Sequence, residues 1–453
     1  MPPPLKSSSN SVKATLQLPI IGGLIVAMLI PLGLTYIVLH EREERKDEAI
    51  ANITKSWGEG QQVIGPVLII PYTYSVEYHT GAANQDGPRI AGNQVLVQQR
   101  KDTAYFLPEY LEIDGTLNPT TRQYGIYKAV LYQASLKIKG DFAPPDFSVW
   151  KVKPDNVLWD EAIIAFYVAD LRATPSTLSI TFNNKEFPFQ PGSRLNGYSS
   201  GIYAHIPGSV APDNKLEFAT TVELNGSKSL DLMPVGRHTM VNLKSIWPDP
   251  KFHGAYLPQT HTVTDEGFTA NWSISYYGRS QPQQWNNTED SKGLASYATA
   301  QSFFGISLLA PIDHYRLVER SIKYGILFLI TVFTTFFIFE TRSTIKLHPV
   351  QYTLVGAALV IFFLLLLALS ELLSFGLAYT IGGIACTLLI SAYSIFALKS
   401  KHRAAIIALT LALIYAMLYI ILQLQDYALL LGTILIFAML AAAMFTTRNI
   451  KWE

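Results

Sequence analysis

The chain is poor in cysteine and in charged residues. Only one of its 453 residues is a cysteine, and this residue, Cys386, lies within an apolar stretch, so disulfide bonds cannot stabilise the long polar region before it. Charged residues make up 15% of the chain, against roughly 25% in an ordinary soluble protein. The 35 basic and 34 acidic residues nearly balance, so no overall charge attracts nucleic acid, and we expect no nucleic-acid partner.

The common signatures of catalysis and metal binding are also missing from the sequence. There is no GxxxxGK(S/T) phosphate-binding loop, no HExxH zinc motif and no GxSxG nucleophile motif. The nine histidines are scattered without the spacing of metal ligands. The sequence therefore predicts no cofactor, no metal site and no catalytic residue, and we expect the protein not to be an enzyme.

What the chain does contain is long apolar stretches, each close to the roughly 20 residues with which a helix crosses a bilayer. The six stretches are residues 18–39, 322–339, 352–369, 376–398, 404–424 and 428–445. The first is retained as a signal anchor in our interpretation, because no small-x-small cleavage site follows it. The pattern predicts a membrane protein with six transmembrane α-helices, one plus five.

Lysine and arginine in the short segments beside these stretches indicate the orientation. Basic residues precede the first stretch, follow the last, and lie in two of the four short connections, whereas the other two connections contain only Glu371 and Asp426 as charged residues. This partition predicts that both termini are cytoplasmic. The predicted divisions are a cytoplasmic tail at 1–17, helix 1 at 18–39, an extracytoplasmic domain at 40–320, a five-helix bundle at 321–446 and a cytoplasmic tail at 447–453.

Apolar and polar residues alternate along many segments of the region between the first two stretches, as strands require. Within residues 128–139 the apolar members are Val130, Tyr132, Ala134, Leu136 and Ile138. The domain is therefore predicted to be mainly β, either a sandwich or an open, curved antiparallel sheet. Its two ends are predicted to be helical, since helix 1 can continue outward to about Gly58 and Asp313 can cap a helix that leads into the second stretch.

Charged residues at the ends of the apolar stretches are the candidate site residues, because charge at membrane depth is costly. Glu340 and Glu371 fall at predicted span boundaries where water can reach them, so each is an interfacial carboxylate or a group linked to a proton or a partner. Glu371 has no basic residue in its own loop. We therefore expect its partner among three basic residues near the second stretch, and these are Arg316, Arg320 and Lys323.

One aromatic residue of the polar region is a further candidate. Trp247 lies in the segment WPDPKFHG, where Pro248 and Pro250 restrict the backbone. We expect this segment to form a rigid corner that packs the indole ring.

Several long segments of the chain resemble the CreD family of bacterial inner-membrane proteins. They include VIGPVLIIPY (63–72), WPDPKFHGAYLP (247–258), DHYRLVERSIKYGILFLITVFTTFFIFE (313–340) and LHPVQYTLVGAALVIFFLLLLALSE (347–371). Members are described as cell-envelope integrity proteins that are controlled with a two-component stress response. The resemblance implies a multi-pass protein of the inner membrane with a periplasmic domain and an envelope role, and it supplies no catalytic residue or cofactor.

Three functions are compatible with these observations. The leading hypothesis is a non-enzymatic envelope protein in which the β domain contacts a periplasmic or other envelope partner while the bundle sits in the lipid bilayer. The alternative is a transporter or lipid-handling protein with a pocket between the bundle and the β domain. A third hypothesis is an intramembrane enzyme.

Overall fold

The computed structural model describes residues 11–79, 95–172, 178–210, 216–289, 293–297, 302–308, 314–341, 347–424 and 428–447. The chain folds as two compact units, one of Met1–Glu48 with Ile312–Glu453 and the other of Ala49–Pro311. We call the first the helical unit and the second the β unit.

Seven α-helices account for the apolar stretches in the described part of the chain. They are α1 Ser11–Trp57, α2 His314–Lys323, α3 Gly325–Thr341, α4 Pro349–Ser370, α5 Phe375–Leu398, α6 Lys401–Gln423 and α7 Ala428–Thr447. The predicted continuation of helix 1 to about Gly58 is confirmed, because α1 is one unbroken helix to Trp57. Asp313, the predicted cap of the helix before the second stretch, lies outside the described residues.

Four of these helices are long and apolar enough to cross a membrane, judged by length and composition over the described residues, and the pair α2 and α3 adds a fifth if it counts as one span. The four are Pro19–Trp57, Pro349–Ser370, Phe375–Leu398 and Lys401–Gln423. The prediction of several spanning helices around a β domain is confirmed, whereas the count of six remains a prediction. The helix expected before the second stretch is α2, but it does not run straight into that stretch, because α2 and α3 meet at an angle of 41°.

The start of α4 shows how the sequence sets a helix boundary. His348 caps the helix, since its Nδ1 accepts from the backbone N–H of Val350 at 3.3 Å, and the side chain of Gln351 accepts from the backbone N–H of His348 at 3.0 Å. Pro349 occupies the first helical position, where a missing N–H costs nothing. These contacts fix the end of α4 that packs beside α3.

The β unit contains 17 strands in the described residues. They are β1 Gln61–His79, β2 Val95–Phe106, β3 Tyr110–Tyr124, β4 Tyr127–Phe142, β5 Ile163–Val168, β6 Ser179–Phe182, β7 Lys185–Pro188, β8 Gln190–Pro191, β9 Ile202–His205, β10 Leu216–Ser227, β11 Ser229–Leu232, β12 His238–Ser245, β13 Pro250–Gly254, β14 Thr260–Thr264, β15 Gly267–Ser275, β16 Gln284–Asn286 and β17 Phe304–Leu308. The prediction of a mainly β domain is confirmed.

These strands form two sheets that share one hydrophobic core. The eight-stranded sheet has the order β14-β15-β12-β3-β4-β10-β6-β7. The nine-stranded sheet has the order β13-β17-β11-β1-β5-β9-β8, with β2 paired to β1 and β16 paired to β2. Most pairs are antiparallel, as predicted, but β1 with β11 and β3 with β12 are parallel. The two sheets with their shared core agree with a sandwich better than with a single open sheet.

Burial along the strands confirms the alternation seen in the sequence. On β4, Tyr132, Ala134, Leu136 and Ile138 are buried, whereas Gln133 and Lys137 are exposed. On the neighbouring strand β10, every second residue from Leu216 to Leu224 is buried, including Thr220, and the residues between them are exposed. The core is therefore built from one face of each sheet, and the other faces are free to carry polar groups.

Candidate functional site

Glu371 ends α4 and makes the contacts that connect this helix to α1 and α2. Its Oε2 atom lies 3.7 Å from Nη1 of Arg42 on α1. Its Oε1 atom accepts a hydrogen bond of 3.1 Å from the hydroxyl of Tyr315 on α2. The Nζ atom of Lys46, one turn after Arg42, lies 5.1 Å from the centre of the Tyr315 ring. We call Arg42, Lys46, Tyr315 and Glu371 the Glu371 cluster.

The electrostatics of this cluster depend on the partial burial of Glu371. The side chain of Glu371 is 14% exposed and that of Arg42 is 43% exposed. Removing a carboxylate from water costs free energy unless hydrogen bonds and opposite charge replace the lost hydration. Tyr315 supplies the hydrogen bond, and Arg42 supplies the charge at a distance typical of an ion pair rather than of a tight hydrogen bond.

A second contact joins α1 to α2 one to two turns away along both helices. The hydroxyl of Tyr36 donates to Oε1 of Glu319 at 3.2 Å. Lys323 lies four residues after Glu319 on α2, and its Nζ atom is 2.8 Å from the same carboxylate oxygen. Lys323 therefore forms an ion pair with Glu319, as oppositely charged residues at positions i and i+4 of a helix commonly do.

The predicted pairing of Glu371 with a basic residue near the second stretch is wrong. Arg320 instead donates from both terminal nitrogens, at 3.4 Å, to the backbone oxygens of Ile421 and Leu422 at the end of α6. A cation there neutralises carbonyl groups that have no partner within the helix. Arg316 is exposed and makes no hydrogen bond or ion pair with the described residues. It lies about 100° around α2 from Tyr315, so it does not share the face that contacts Glu371.

The sequence interpretation missed Arg42, Lys46 and Tyr315. Arg42 and Lys46 are four residues apart on a helix that was itself predicted, so they share one face. That spacing is the signal that could have identified them. Nothing in the sequence, however, gives the rotation of α1 relative to α4, which decides that this face meets Glu371.

Glu340 lies near the end of α3 and connects it to the start of α4. Its side chain is 6% exposed. Oε2 accepts from the hydroxyl of Tyr352 at 2.9 Å, and Oε1 accepts from the backbone N–H of Leu347 at 3.1 Å. The expectation that water reaches this carboxylate is wrong, since protein groups surround and satisfy it. Its contacts make it a connector of two consecutive helices.

Trp247 lies in the connection between β12 and β13, and its half-buried ring packs against the core of the β unit. Its backbone N–H donates to the Ser245 hydroxyl at 3.2 Å. The indole nitrogen is buried without a hydrogen-bond partner in the structure described here. The position agrees with the expected corner that packs an aromatic residue, and its surroundings are those of a structural residue.

A polar group on the nine-stranded sheet has the residue types of a catalytic triad. Nε2 of His253 lies 2.6 Å from Oδ1 of Asp231, and Oγ of Ser307 lies 3.3 Å from Nδ1 of His253. Gly305 stands between Asp231 and His253 in the register, which leaves room for the imidazole to cross one strand. β17 is paired on both sides, so its amides are committed to the sheet and do not form an oxyanion hole. This arrangement favours a surface hydrogen-bond chain over a nucleophile.

The described residues contain no group of three or more His, Cys, Asp or Glu that could hold a metal ion. The contacts of the Glu371 cluster are those of charge pairing and hydrogen bonding.

An exposed aromatic patch on the β unit is the clearest candidate for binding another molecule. Tyr277 is 95% exposed, and Tyr276 next to it in the chain is also exposed. Leu257, which is 70% exposed, follows Tyr256, whose hydroxyl donates to the backbone oxygen of Gly278 beside Tyr277. The guanidinium carbons of Arg237 and Arg279 lie 5.6 and 5.1 Å from the centre of the Tyr276 ring. We call Arg237, Leu257, Tyr276, Tyr277 and Arg279 the Tyr277 patch. Tyrosine and arginine are enriched at the centres of protein interfaces.

Arg279 fixes this patch to the domain beneath it. Its Nη2 atom donates to Oε1 of Gln283, and Nε2 of Gln283 donates to the backbone oxygens of Leu107 and Pro108 at 2.8 and 2.9 Å. Burial lowers the pKa of Arg279 to about 10, so the guanidinium keeps its charge at neutral pH. A charged group held in this way orients the Tyr276 ring by a cation–π contact.

The fold and these sites define a multi-spanning membrane protein with a large β domain inserted after its first helix. The family model of the inner membrane protein CreD matches residues 13–453, and the chain belongs to that family. The inner membrane protein CreD of Escherichia coli (strain K12) is 30% identical over 432 residues, which cover 95% of this chain and 92% of that protein. The family resemblance seen in the sequence is thereby confirmed, as is an inner-membrane protein in contact with the lipid bilayer.

Likeness to solved structures is slight. An M1 zinc metallopeptidase from Deinococcus radiodurans is 7% identical with a TM-score of 0.21, covering 37% of this chain and 38% of that chain. A two-domain M1 zinc metallopeptidase bound to L-arginine is 7% identical with a TM-score of 0.20, covering 37% of this chain and 39% of that chain. Scores this low carry no argument about fold or function.

Proposed function

We propose that the protein is a non-enzymatic inner-membrane protein that contributes to envelope integrity or to the envelope stress response. In this proposal residues 40–320 are periplasmic, both termini are cytoplasmic, and the β unit binds an envelope partner through the Tyr277 patch. The helices anchor the β unit in the membrane. The observation that carries the proposal is the patch itself, and membership of the CreD family supports the envelope role.

The composition of the Tyr277 patch supports partner binding. An exposed cluster of large apolar side chains is costly on the surface of a domain and is typical of binding sites. Tyr276 and Tyr277 lie on a short 3-10 turn that follows β15, and Arg279 holds the end of that turn. A surface that is ordered before binding loses little entropy when a partner arrives.

Charge at the edge of the patch adds specificity. Arg237 contacts the Tyr276 ring and also lies 3.2 Å from Oε1 of Glu109, so its guanidinium is oriented but more than half exposed. Because exposed ion pairs contribute little free energy, Arg237 can leave the carboxylate of Glu109 and bind a carboxylate of a partner at small cost. We therefore expect the partner to present an acidic or hydrogen-bonding group beside an aromatic or aliphatic anchor.

The test is site-specific photocrosslinking in intact cells, with a photoreactive phenylalanine analogue at position 277. We expect one adduct of defined mass at this position and a large decrease of the adduct when Arg237→Glu is added. The matched control is position 124, another highly exposed tyrosine, in the β3–β4 hairpin. Tyr277→Ala should also increase sensitivity of the cells to detergent. If the crosslinks at 277 and 124 are the same and Tyr277→Ala cells resist detergent normally, the proposal is wrong.

Lipid handling is the second candidate function, and one feature of the helical unit favours it. A groove of about 360 Å³ lies between α5 and α6, lined by Tyr379, Gly383, Thr387, Ala412 and Ala416 among others. The absence of a side chain at Gly383 and the methyl groups of Ala412 and Ala416 leave space that an acyl chain can fill. If the groove holds lipid, Ala416→Trp should remove a bound lipid from the mass spectrum of the native protein. Retention of the same lipids by this variant would count against lipid handling at this groove.

A further inference from the structure

β14 forms one end of the eight-stranded sheet, and all five of its residues are exposed. One of its edges pairs with β15, and no other strand in the described part of the chain pairs with its second edge. Exposed strand edges present unpaired backbone N–H and C=O groups, which can bind another strand. This edge is independent of the Tyr277 patch and of the function proposed for it.

Three other strands at sheet ends contain residues that discourage strand addition, and a fourth, β16, is only three residues long. β7 includes Lys185 and Pro188, β13 includes Pro250 and Lys251, and β8 ends in Pro191. Proline removes an N–H donor, and a lysine on an edge strand must lose hydration when a second strand covers it. β14 has the sequence Thr-His-Thr-Val-Thr, with no proline, lysine, arginine or acidic residue. It differs from those three ends in lacking this protection.

The turn after β14 determines which of its amides face outward. Asp265 and Glu266 form a two-residue turn, so Thr264 and Gly267 are the closing pair, and hydrogen-bonded pairs recur at every second residue. The pairs Thr262 with Thr269 and Thr260 with Asn271 follow in the register. The amides of His261 and Val263 therefore point to the free edge. They offer two N–H donors and two C=O acceptors.

We propose that β14 pairs with β14 of a second copy of this chain, antiparallel, about a two-fold axis at Thr262. Centring the pair on Thr262 places His261 opposite Val263 of the second copy and Val263 opposite His261 of the second copy. Both pairs are hydrogen-bonded, so all four outward groups of each strand are satisfied. Symmetric pairing of this kind is the commonest arrangement of two identical chains.

The side chains of β14 are self-complementary in this register. The threonines at 260, 262 and 264 place threonine opposite threonine at every position of one face, and such cross-strand pairs are favourable. The nearest acidic residues, Asp265 and Glu266, lie opposite Gln259 and Pro258 of the second copy. No like charges therefore meet across the axis.

The contact is small, and its size predicts where it forms. Four hydrogen bonds between two five-residue strands bury far less surface than a dimer that is stable in dilute solution. Copies confined to one membrane have a much higher effective concentration than copies in solution. We therefore expect the pairing in membranes and its loss in dilute detergent.

Disulfide crosslinking in membranes tests both the contact and its register. In a Cys386→Ser background, Thr262→Cys places two cysteines across the axis, where opposing α-carbons are about 4.5 Å apart and can form a disulfide. With Thr260→Cys or Thr264→Cys alone, the two cysteines lie about four residues out of register, roughly 13 Å apart. At that distance they cannot form a disulfide. Mixed copies with different tags, one Thr260→Cys and the other Thr264→Cys, should crosslink again. We expect at least tenfold more crosslinked dimer at 262 than at 260 or 264 alone.

Two further variants separate pairing from collision. Adding Thr262→Lys to both mixed copies should remove most of the 260–264 crosslink, because it brings two positive charges together, whereas Thr262→Val should retain it. Similar crosslinking at 260, 262 and 264 would show random collision and overturn the proposal. No crosslink at 262 in folded, membrane-inserted protein, or a crosslink to a different protein, would also overturn it. These outcomes are independent of the result at Tyr277.

Discussion

The carboxylate of Glu371, at the end of α4, lies 3.7 Å from the guanidinium of Arg42 on α1, although 329 positions separate the two residues in the chain. Tyr315 on α2 donates to the same carboxylate at 3.1 Å. One partly buried group thus connects the first helix of the chain, which enters the β unit, with the helices that follow that unit. Loss of either partner would leave a carboxylate with less compensation for its lost hydration.

We predict that Glu371→Gln and Arg42→Gln each lower the thermal stability of the purified protein. The expected cost is about 1 kcal/mol for each change, because the pair is partly buried and supported by Tyr315. The double variant should lose less than the sum, with a coupling of at least about 0.5 kcal/mol. Thermal unfolding of all three variants in the same lipid nanodiscs measures the coupling.

The matched control for this pair is Arg316→Gln, because Arg316 is exposed on α2 without a partner in the described structure. Its removal should leave the stability unchanged within about 0.5 kcal/mol. Additive effects of Glu371→Gln and Arg42→Gln would mean that the two side chains do not interact.

The sequence predicted the helices well because long apolar runs have few alternatives to a spanning helix. The fourth stretch was predicted at 376–398 and α5 is Phe375–Leu398. The break at Tyr324 was not predicted, because apolar content continues across it. Gly325 lies at this break, and an added β-carbon there would lie 3.0 Å from Leu32 and 3.2 Å from Phe363. Three helices pack closely at this glycine, so a larger residue there would displace neighbouring side chains, and no periodicity on one helix reveals such packing.

The site residues were predicted less well than the elements. Periodicity tells which residues of a helix share a face, so it could place Arg42 with Lys46 but not with Glu371. The partner of Glu340 was hidden for a similar reason, because Tyr352 lies on the next helix and the sequence does not specify how α3 and α4 pack together. Glu340 and Glu371 were both recognised in the sequence as carboxylates at span boundaries. Only the rotation and packing of the helices show what each one contacts.

We predict that Tyr352→Phe destabilises the helical unit, because it removes a donor from the buried carboxylate of Glu340 without leaving a cavity. The expected loss is about 1–3 kcal/mol, the range for a buried group that loses a charge-assisted hydrogen bond. Tyr393→Phe is the control, since the Tyr393 hydroxyl makes no hydrogen bond among the described residues. Chemical unfolding followed by helical circular dichroism compares them. Equal stability of the two variants would show that the Tyr352 bond contributes nothing.

We predict that Asp170 makes the free energy of unfolding of the β unit depend on pH in the acidic range. Arg172 donates to Asp170 through Nε at 2.9 Å and Nη2 at 2.6 Å, and these bonds hold the pKa of the Asp170 carboxyl below its usual value. Because the folded pKa is depressed, this stabilisation is present above the unfolded pKa of about 3.9 and is lost as pH falls through the folded value.

We therefore predict that Asp170→Asn lowers stability by about 1–2 kcal/mol at pH 7 and by much less below pH 3. Tryptophan fluorescence during denaturant unfolding of the full chain at both pH values measures the difference. Asp155→Asn, at an exposed position in the same unit, should have no comparable effect at either pH. If the cost of Asp170→Asn were the same at pH 7 and pH 3, the bonds to Arg172 would not stabilise the fold through charge.

The orientation of the chain in the membrane is the last prediction. Single cysteines at Thr262 on β14 and at Lys401 at the start of α6, in a Cys386→Ser background, are both at exposed positions. Both variants are reduced immediately before labelling, so that no disulfide between two copies blocks position 262. Basic residues at 399, 401 and 403 predict that the α5–α6 connection is cytoplasmic, and the long region before α2 is then periplasmic. A membrane-impermeant thiol reagent added to intact spheroplasts should label position 262 and leave position 401 unlabelled until the membrane is permeabilised. Labelling of 401 but not 262 in intact spheroplasts would reverse the orientation and place the β unit in the cytoplasm. The Tyr277 patch would then face cytoplasmic proteins, so this measurement also decides which compartment can contain its partner.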